Sequence, residues 1–378
     1  QQASAEGASV PTCPSPTVNQ YRLDEDEEQL VDADVQDLLI SVDEPESHVT
    51  TIETFITYRV VTKTTRSDFD CSEYQVHRRY QDFLWLRSRL EESSPTLIVH
   101  PLPEKFVVKG LVERFSADFI ETRRRALQRF LARVAQHPLL SRSQHLRLFL
   151  TAPVGELQPH KKQGAGLLSR MGETVRAVAG SLRGPRSRPE EFTLMHRYLE
   201  EFGSKISSVD KISRRISREQ REYLEELRRC APSYSLWAGL EEELAEPLRG
   251  VATCVERCCL ETEHIQHLTQ VLVPVHEYVL GADTAKAVMR RRDVVHADYE
   301  VKNEALALQV CGGDSWRRRW AAWRSVLELA NSALKEDWCR WQDSRRTDLR
   351  SAFLSAADGN IQYYQKCLAV WESFLLSQ

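Results

Sequence analysis

Three short stretches concentrate side chains able to hold phosphate: Arg78-Arg79-Tyr80-Gln81-Asp82-Phe83, His100-Pro101-Leu102-Pro103-Glu104-Lys105, and Glu121-Thr122-Arg123-Arg124-Arg125-Ala126-Leu127. An arginine fork bonds two phosphate oxygens at once, and charge-assisted hydrogen bonds contribute roughly 1.5–3 kcal/mol each. A tyrosine face packs against an inositol ring, and a lysine meets a second phosphate as a point charge. Together these types supply what a phosphoinositide head group needs. On the first stretch alone a second reading stays open, in which Arg-Arg-Tyr only caps and solvates the edge where a strand meets a helix. Arg124 and Arg125 read as solvated helix face. Phe106, Val107 and Val108, directly after Lys105, fit either of two roles: dipping into a bilayer, or packing beneath the next helix.

The elements that must position these groups follow from periodicity. Leu38–Val42 and Thr51–Thr64 alternate as strands, with Ile52, Thr54, Ile56, Tyr58 and Val60 on one face. A third strand runs over Ser72–Arg78, after a turn at Ser67–Asp70. The period then becomes helical at Phe83, Leu86 and Leu90. Two more helices are predicted over Phe115–Ala135 and Leu139–Leu150, parted by His137-Pro138. Three strands followed by helices make a small α+β domain over 36–152, behind a disordered acidic lead at 1–35.

Beyond it, 153–189 reads as a linker with an amphipathic centre. Leu167, Leu168, Met171, Val175, Val178 and Leu182 form one apolar stripe flanked by Arg170, Arg176 and Arg183. Such a segment either lies in the head-group plane of a membrane or packs on neighbouring helices. From 190 to 378 the pattern is long helices. The first is expected to end at Ala231-Pro232-Ser233, and the second to run from Tyr234 to about Gln309 with kinks at Pro247 and Pro274. A reversal at Cys311–Asp314 leads into the third. A helix of about 60 residues is a rod on the order of 90 Å long. Three antiparallel rods of that length need a second chain to cover their apolar faces.

Arg-Arg-Tyr-x-x-Phe, a Pro-rich loop ending in Lys, and a helical Arg, in that order, resemble a Phox-homology (PX) domain. That resemblance implies that Arg79 holds the 3-phosphate and Tyr80 stacks on the ring. It places Lys105 on the 1-phosphate and Arg123 on the ring hydroxyls at positions 4 and 5. His100 stands where relatives often have another proline. The whole chain is similar to the PX–BAR sorting nexins, and within them to the seven and thirty subgroup, through Arg78–Leu90, Leu102–Gly110, Val275–Leu280 and Ile361–Gln378. The implied fold is a three-stranded antiparallel sheet plus helices, followed by an all-α, dimeric BAR domain of three long helices. The implied role is a peripheral, non-enzymatic protein on the cytosolic face of early or recycling endosomes. The resemblance further implies binding of phosphatidylinositol 3-phosphate, a homodimer or a heterodimer with another PX–BAR sorting nexin, sensing or shaping of tubules, and service in endosomal sorting, recycling and autophagy. A coiled-coil scaffold whose PX domain binds protein rather than lipid is the alternative.

Composition narrows the field further. The net charge is −4, but residues 1–50 hold 12 acids against Arg22, and 161–189 hold seven basic residues against Glu173. Only the second segment suits an anionic surface. Nine cysteines, an odd number set mostly in helical patterns, read as reduced thiols. With no charged-then-apolar leader and no run of 18 apolar residues, membrane contact is expected from the cytosolic side. Cys254, Cys258 and Cys259 with His264 and His267 do not match a zinc finger. No metal, cofactor or nucleic-acid partner is expected, and no catalytic motif is present.

Overall fold

In a computed structural model the described residues are 37–50, 54–104, 116–153, 155–157, 159–160, 188–260, 263–307 and 314–377. The chain divides into two units, Gln1–Asp37 and Leu38–Gln378, and every element named below belongs to the second.

Strands β1 (Leu38–Val49), β2 (Thr54–Thr64) and β3 (Glu73–Arg79) form an antiparallel sheet in that order. Leu38, Ile40 and Val42 point inward while Leu39 is 51% exposed, the alternation of a half-buried strand. β1 shifts register between Asp43 and Glu46, and Glu44 takes a positive φ of 39° there. The Arg59 guanidinium pairs with Asp43 at 2.7 Å and Glu44 at 2.6 Å and holds that bulge. Helix α1 (Tyr80–Ser93) leaves β3 without a loop and buries Phe83, Leu86 and Leu90. α2 (Ala117–Gln136) is capped by Ser116, whose Oγ accepts from the Phe119 N–H.

The helix predicted over Leu139–Leu150 divides. A one-turn 3₁₀ segment, Leu140–Arg142, precedes α3 (Gln144–Thr151). Ser143 Oγ accepts from the His145 N–H and starts α3 late. Before it, His137 Nδ1 accepts from the backbone N–H groups of Leu139 and Leu140.

The helical region comprises α4 (Glu190–Ala238), α5 (Ala245–Leu260), α6 (Glu263–Ala307) and α7 (Asp314–Ser377). α4 runs through Pro232 rather than ending there. A proline removes one intrahelical bond, and the burial of Ala231 and Ala238 on either side carries the helix to Gly239. The break falls at Gly239–Leu244 instead. Pro247 then sits in the first turn of α5, where N–H groups lack intrahelical partners anyway, so it does not kink a longer helix. Pro274 lies inside α6 without ending it.

Phe192, Leu199, Val288, Met289, Leu334 and Trp338 form the main core of the bundle. Trp338 and Trp341 stack at 5.2 Å between centroids. Arg292, wholly buried, donates from Nε to Asn331 Oδ1 at 2.7 Å and lies 4.0 Å over the Phe192 ring, joining α4, α6 and α7. Gly250 seats the Phe374 ring: a Cβ there would meet it at 2.3 Å. Cys254, Cys258 and Cys259 are buried. The Cys254 thiol donates to the Val370 carbonyl and the Cys259 thiol to that of Leu224. Burial, with Cys367 beside it, pushes the Cys258 thiol up to about 12, so these cysteines pack rather than react.

Among the described residues, apolar rows on α4 and on α7 lie exposed. Val209, Ile212, Ile216 and Tyr223 on α4 are exposed. On α7, Leu354, Ile361, Leu368 and Leu375 recur every seven residues and are 55–71% exposed. No described helix is long and apolar enough to cross a membrane.

Candidate phosphoinositide site

The junction of β3 and α1 separates two adjacent arginines by the alternation of the strand. Arg78 points inward and is fully buried. Its Nε donates to the Phe149 carbonyl at 2.8 Å, and an Nη donates to the Ala152 carbonyl, so it closes the C-terminal end of α3. Burial lowers its pKa to about 10, with Asp82 opposing, and it keeps its charge at neutral pH. Arg79 points to the other side. Its backbone N–H donates to Asp82 Oδ2 at 2.7 Å, which fixes the first turn of α1. Its guanidinium lies 3.2 Å over the Phe55 ring, and that stacking sets the plane of the fork.

Tyr80 and Arg123 complete the group. The Tyr80 hydroxyl donates to the Pro103 carbonyl, anchoring the Pro101–Glu104 loop to α1. The Arg123 guanidinium lies 4.4 Å over the Tyr80 ring and 4.4 Å over Phe119, one turn earlier on α2, and donates to the Glu104 carbonyl at 3.4 Å. Burial raises the Tyr80 phenol, and Arg123 partly offsets it. Tyr58 beneath goes up to about 12 through burial, again with Arg123 opposing. Both phenols stay protonated, and at Tyr80 the charges of Arg123 and Arg87 are opposed by that of Glu104.

Arg79, Tyr80 and Arg123 are thus brought to one corner, beside the loop that leads to Lys105. Lys105 lies outside the described residues, as do Phe106, Val107 and Val108 and the amphipathic segment with Leu167, Leu168, Met171 and Val175. Arg124 turns away from the corner: it donates to the Val42 carbonyl and forks onto Glu121, tying α2 to β1. Its fork and Arg125 hold the Glu121 carboxyl down at about 2. His100 faces the helical region, 3.9 Å from Glu277, and burial together with Arg133, Arg129 and Arg87 pushes it down to about 3.

Two contributors escaped the sequence reading. Phe55 shares a face with Thr57, the partner of Arg79 across β2 and β3, so the strand register would have found it. Phe119 precedes Arg123 by four residues on α2, the spacing of helix-surface neighbours.

Comparison with known proteins bears on the same regions. The PX domain family model matches residues 67–153. Human sorting nexin-7 is 52% identical over 371 residues, spanning 98% of this chain and 94% of that protein. Human sorting nexin-30 is 47% identical over 371 residues, spanning 98% and 83%. A chain of the SNX-BAR Mvp1 tetramer, solved by cryo-EM, superposes with a TM-score of 0.60 over 89% of this chain at 18% identity, a likeness of fold.

Proposed function

The chain belongs to the sorting nexin family, with a PX domain followed by a helical region of SNX-BAR fold, and from that premise we propose that it binds phosphatidylinositol 3-phosphate on the cytosolic face of endosomes. The convergence of Arg79, Tyr80 and Arg123 beside the Pro101–Glu104 loop carries the reading. Arg79, its plane set by Phe55, takes the 3-phosphate. Tyr80, fixed at its hydroxyl and covered on one face by Arg123, offers its other face to the inositol ring. Arg123 reaches the hydroxyls at positions 4 and 5, and Lys105 meets the 1-phosphate. Burying a free hydroxyl against a guanidinium leaves little room for a further phosphate, which favours the monophosphate.

The role is binding and shaping rather than catalysis. The uncovered faces of α4 and α7 support association with a second chain, a copy of this one or another PX–BAR sorting nexin. Two pockets per dimer then act through effective concentration, so that weak single contacts hold a membrane firmly. Tubule shaping during recycling, and service to autophagy, belong to the same proposal.

Flotation with liposomes containing or lacking phosphatidylinositol 3-phosphate, run beside Arg79→Ala, tests it. Binding that needs both the lipid and Arg79, with at least about a tenfold loss in the variant, is expected. Equal binding to all anionic liposomes, untouched by the substitution, would overturn the pocket assignment. Recruitment without any lipid preference would favour the scaffold reading.

A further inference from the structure

Residues Pro95–Glu104, which carry the chain to Lys105, are held from two sides. On the PX side, Leu97, Val99 and Leu102 are buried in the core, and Tyr80 and Arg123 donate to the carbonyls of Pro103 and Glu104. On the other side lie α6 and α7. The Arg291 guanidinium donates to the Pro95 carbonyl at 2.7 Å. The Ile98 N–H donates to Asp337 Oδ2 at 2.5 Å, and the Ile98 side chain packs against the Phe192–Trp338 core of the bundle. His276 stands 3.7 Å from Glu104 and 3.2 Å from Asp210.

Asp337 is the centre of this seam. It is 3% exposed, and besides Ile98 it accepts from His137 at 2.7 Å and from Arg340 Nε at 3.1 Å. Because His137 Nδ1 already accepts two backbone N–H groups, its Nε2 carries the proton that Asp337 receives. Ala333, one turn before Asp337 on α7, packs against the PX core. The two cores therefore exchange side chains across the seam: Ile98 enters the bundle and Ala333 enters the PX domain.

We propose that the helical region is part of the head-group site, with Asp337 and His276 as positioning residues that hold the Pro95–Glu104 strap in register and so preorganise the loop for an inositol phosphate. The proposal deepens the phosphoinositide reading and rests on it. A strap gripped on one side only retains freedom that binding must remove; gripping it on both sides removes that entropy in advance. The PX domain of this chain is then a pocket completed by its own rods, and anything that shifts α6 or α7 is felt at the pocket.

The test is calorimetric titration of soluble inositol 1,3-bisphosphate into the full-length chain, where membrane avidity plays no part. Wild type binds and Arg79→Ala does not; failure of wild type to bind would bring down the phosphoinositide reading itself, and this inference with it. Given binding, Asp337→Ala is expected to weaken affinity about fivefold or more. Asp337→Asn keeps an oxygen for the Ile98 N–H but turns an amide N–H toward His137 and Arg340, so its affinity should fall between that of Asp337→Ala and wild type. His276→Ala should weaken affinity about threefold with an unchanged unfolding midpoint, and it decides the matter alone if Asp337→Ala does not fold. Wild-type affinity in both Asp337→Ala and His276→Ala would overturn the inference while leaving the reading of the pocket intact.

Discussion

Leu86, Leu127, Phe130 and Leu146 of the PX domain are fully buried by neighbours within that domain, whereas Ile216, Leu354, Ile361 and Leu368 of the helical region are 47–61% exposed. Both regions have the apolar periodicity of well-formed elements, so the contrast lies in shape. A sheet with helices folded over it closes around a centre, and its inward faces meet one another. Rods side by side close only along their mutual lines of contact, and any third face remains open along its length. Polar chemistry follows the same division. The PX domain holds Arg78 on carbonyls and Arg79 and Arg123 on rings, and the helical region spreads its apolar residues in rows that suit another helix.

The largest effect should come from spoiling the open face. Ile216→Glu with Leu368→Glu places two carboxylates in the expected contact, and sedimentation equilibrium should show dimerisation weakened on the order of a thousandfold, about 4 kcal/mol. The unfolding of the PX domain should be unaffected. A wild-type chain that sediments as a monomer, or a variant that still pairs with a copy of itself, would break the contrast.

Next comes the closed half. Arg78→Met leaves the Phe149 and Ala152 carbonyls without that donor and should destabilise the PX domain by about 3 kcal/mol in a urea titration. The adjacent Arg79→Ala should leave stability nearly unchanged while removing lipid binding. Comparable loss of stability in the two variants would contradict the division of labour between them.

Acid should open the seam between the halves. His100 is held neutral by burial and by three arginines, down at about 3 from an ordinary value near 6.5. Its unfolded state takes up a proton below 6.5 that its folded state refuses. Its contribution is therefore complete above pH 6.5 and is lost as pH falls toward 3. His145 and His296, also lowered by burial, act in the same direction as pH falls below 6.5. His100→Asn should flatten the fall in unfolding midpoint between pH 6.5 and 5; an unchanged slope would place the proton uptake elsewhere. The smallest effect belongs to Arg125→Ala, half exposed and paired with Glu121, which should change head-group affinity by less than about twofold.

Much of this was legible in the residues. Alternation gave the strands, the 3,4 spacing gave the helices, and Arg79, Tyr80 and Arg123, singled out by type and spacing, lie at one corner beside the Pro101–Glu104 loop. What stayed hidden depended on distance in sequence. Alternation sets Arg78 on the inward face with Val76, but nothing local names the carbonyls that claim it, which lie at the end of α3, some seventy residues on. Asp337 looks like one more helix-surface carboxylate until the Ile98 N–H, 239 residues away, is found on it. Pro232 misled because its cost is local, while the burial that outweighs it is tertiary. His100 first looks like a gap in a proline run, yet it is a contact with Glu277 on α6.

The central claim is that one of each neighbouring pair of arginines faces the ligand and the other holds the fold. It is tested most directly by following the arginine Nε–H resonances of the full chain, assigned by single substitutions, as inositol 1,3-bisphosphate is added. Arg79 and Arg123 should shift and saturate together, while Arg78 and Arg124, bound to backbone carbonyls, stay in place. Shifts at Arg78 and Arg124, or silence at Arg79 and Arg123 under saturating head group, would contradict the account.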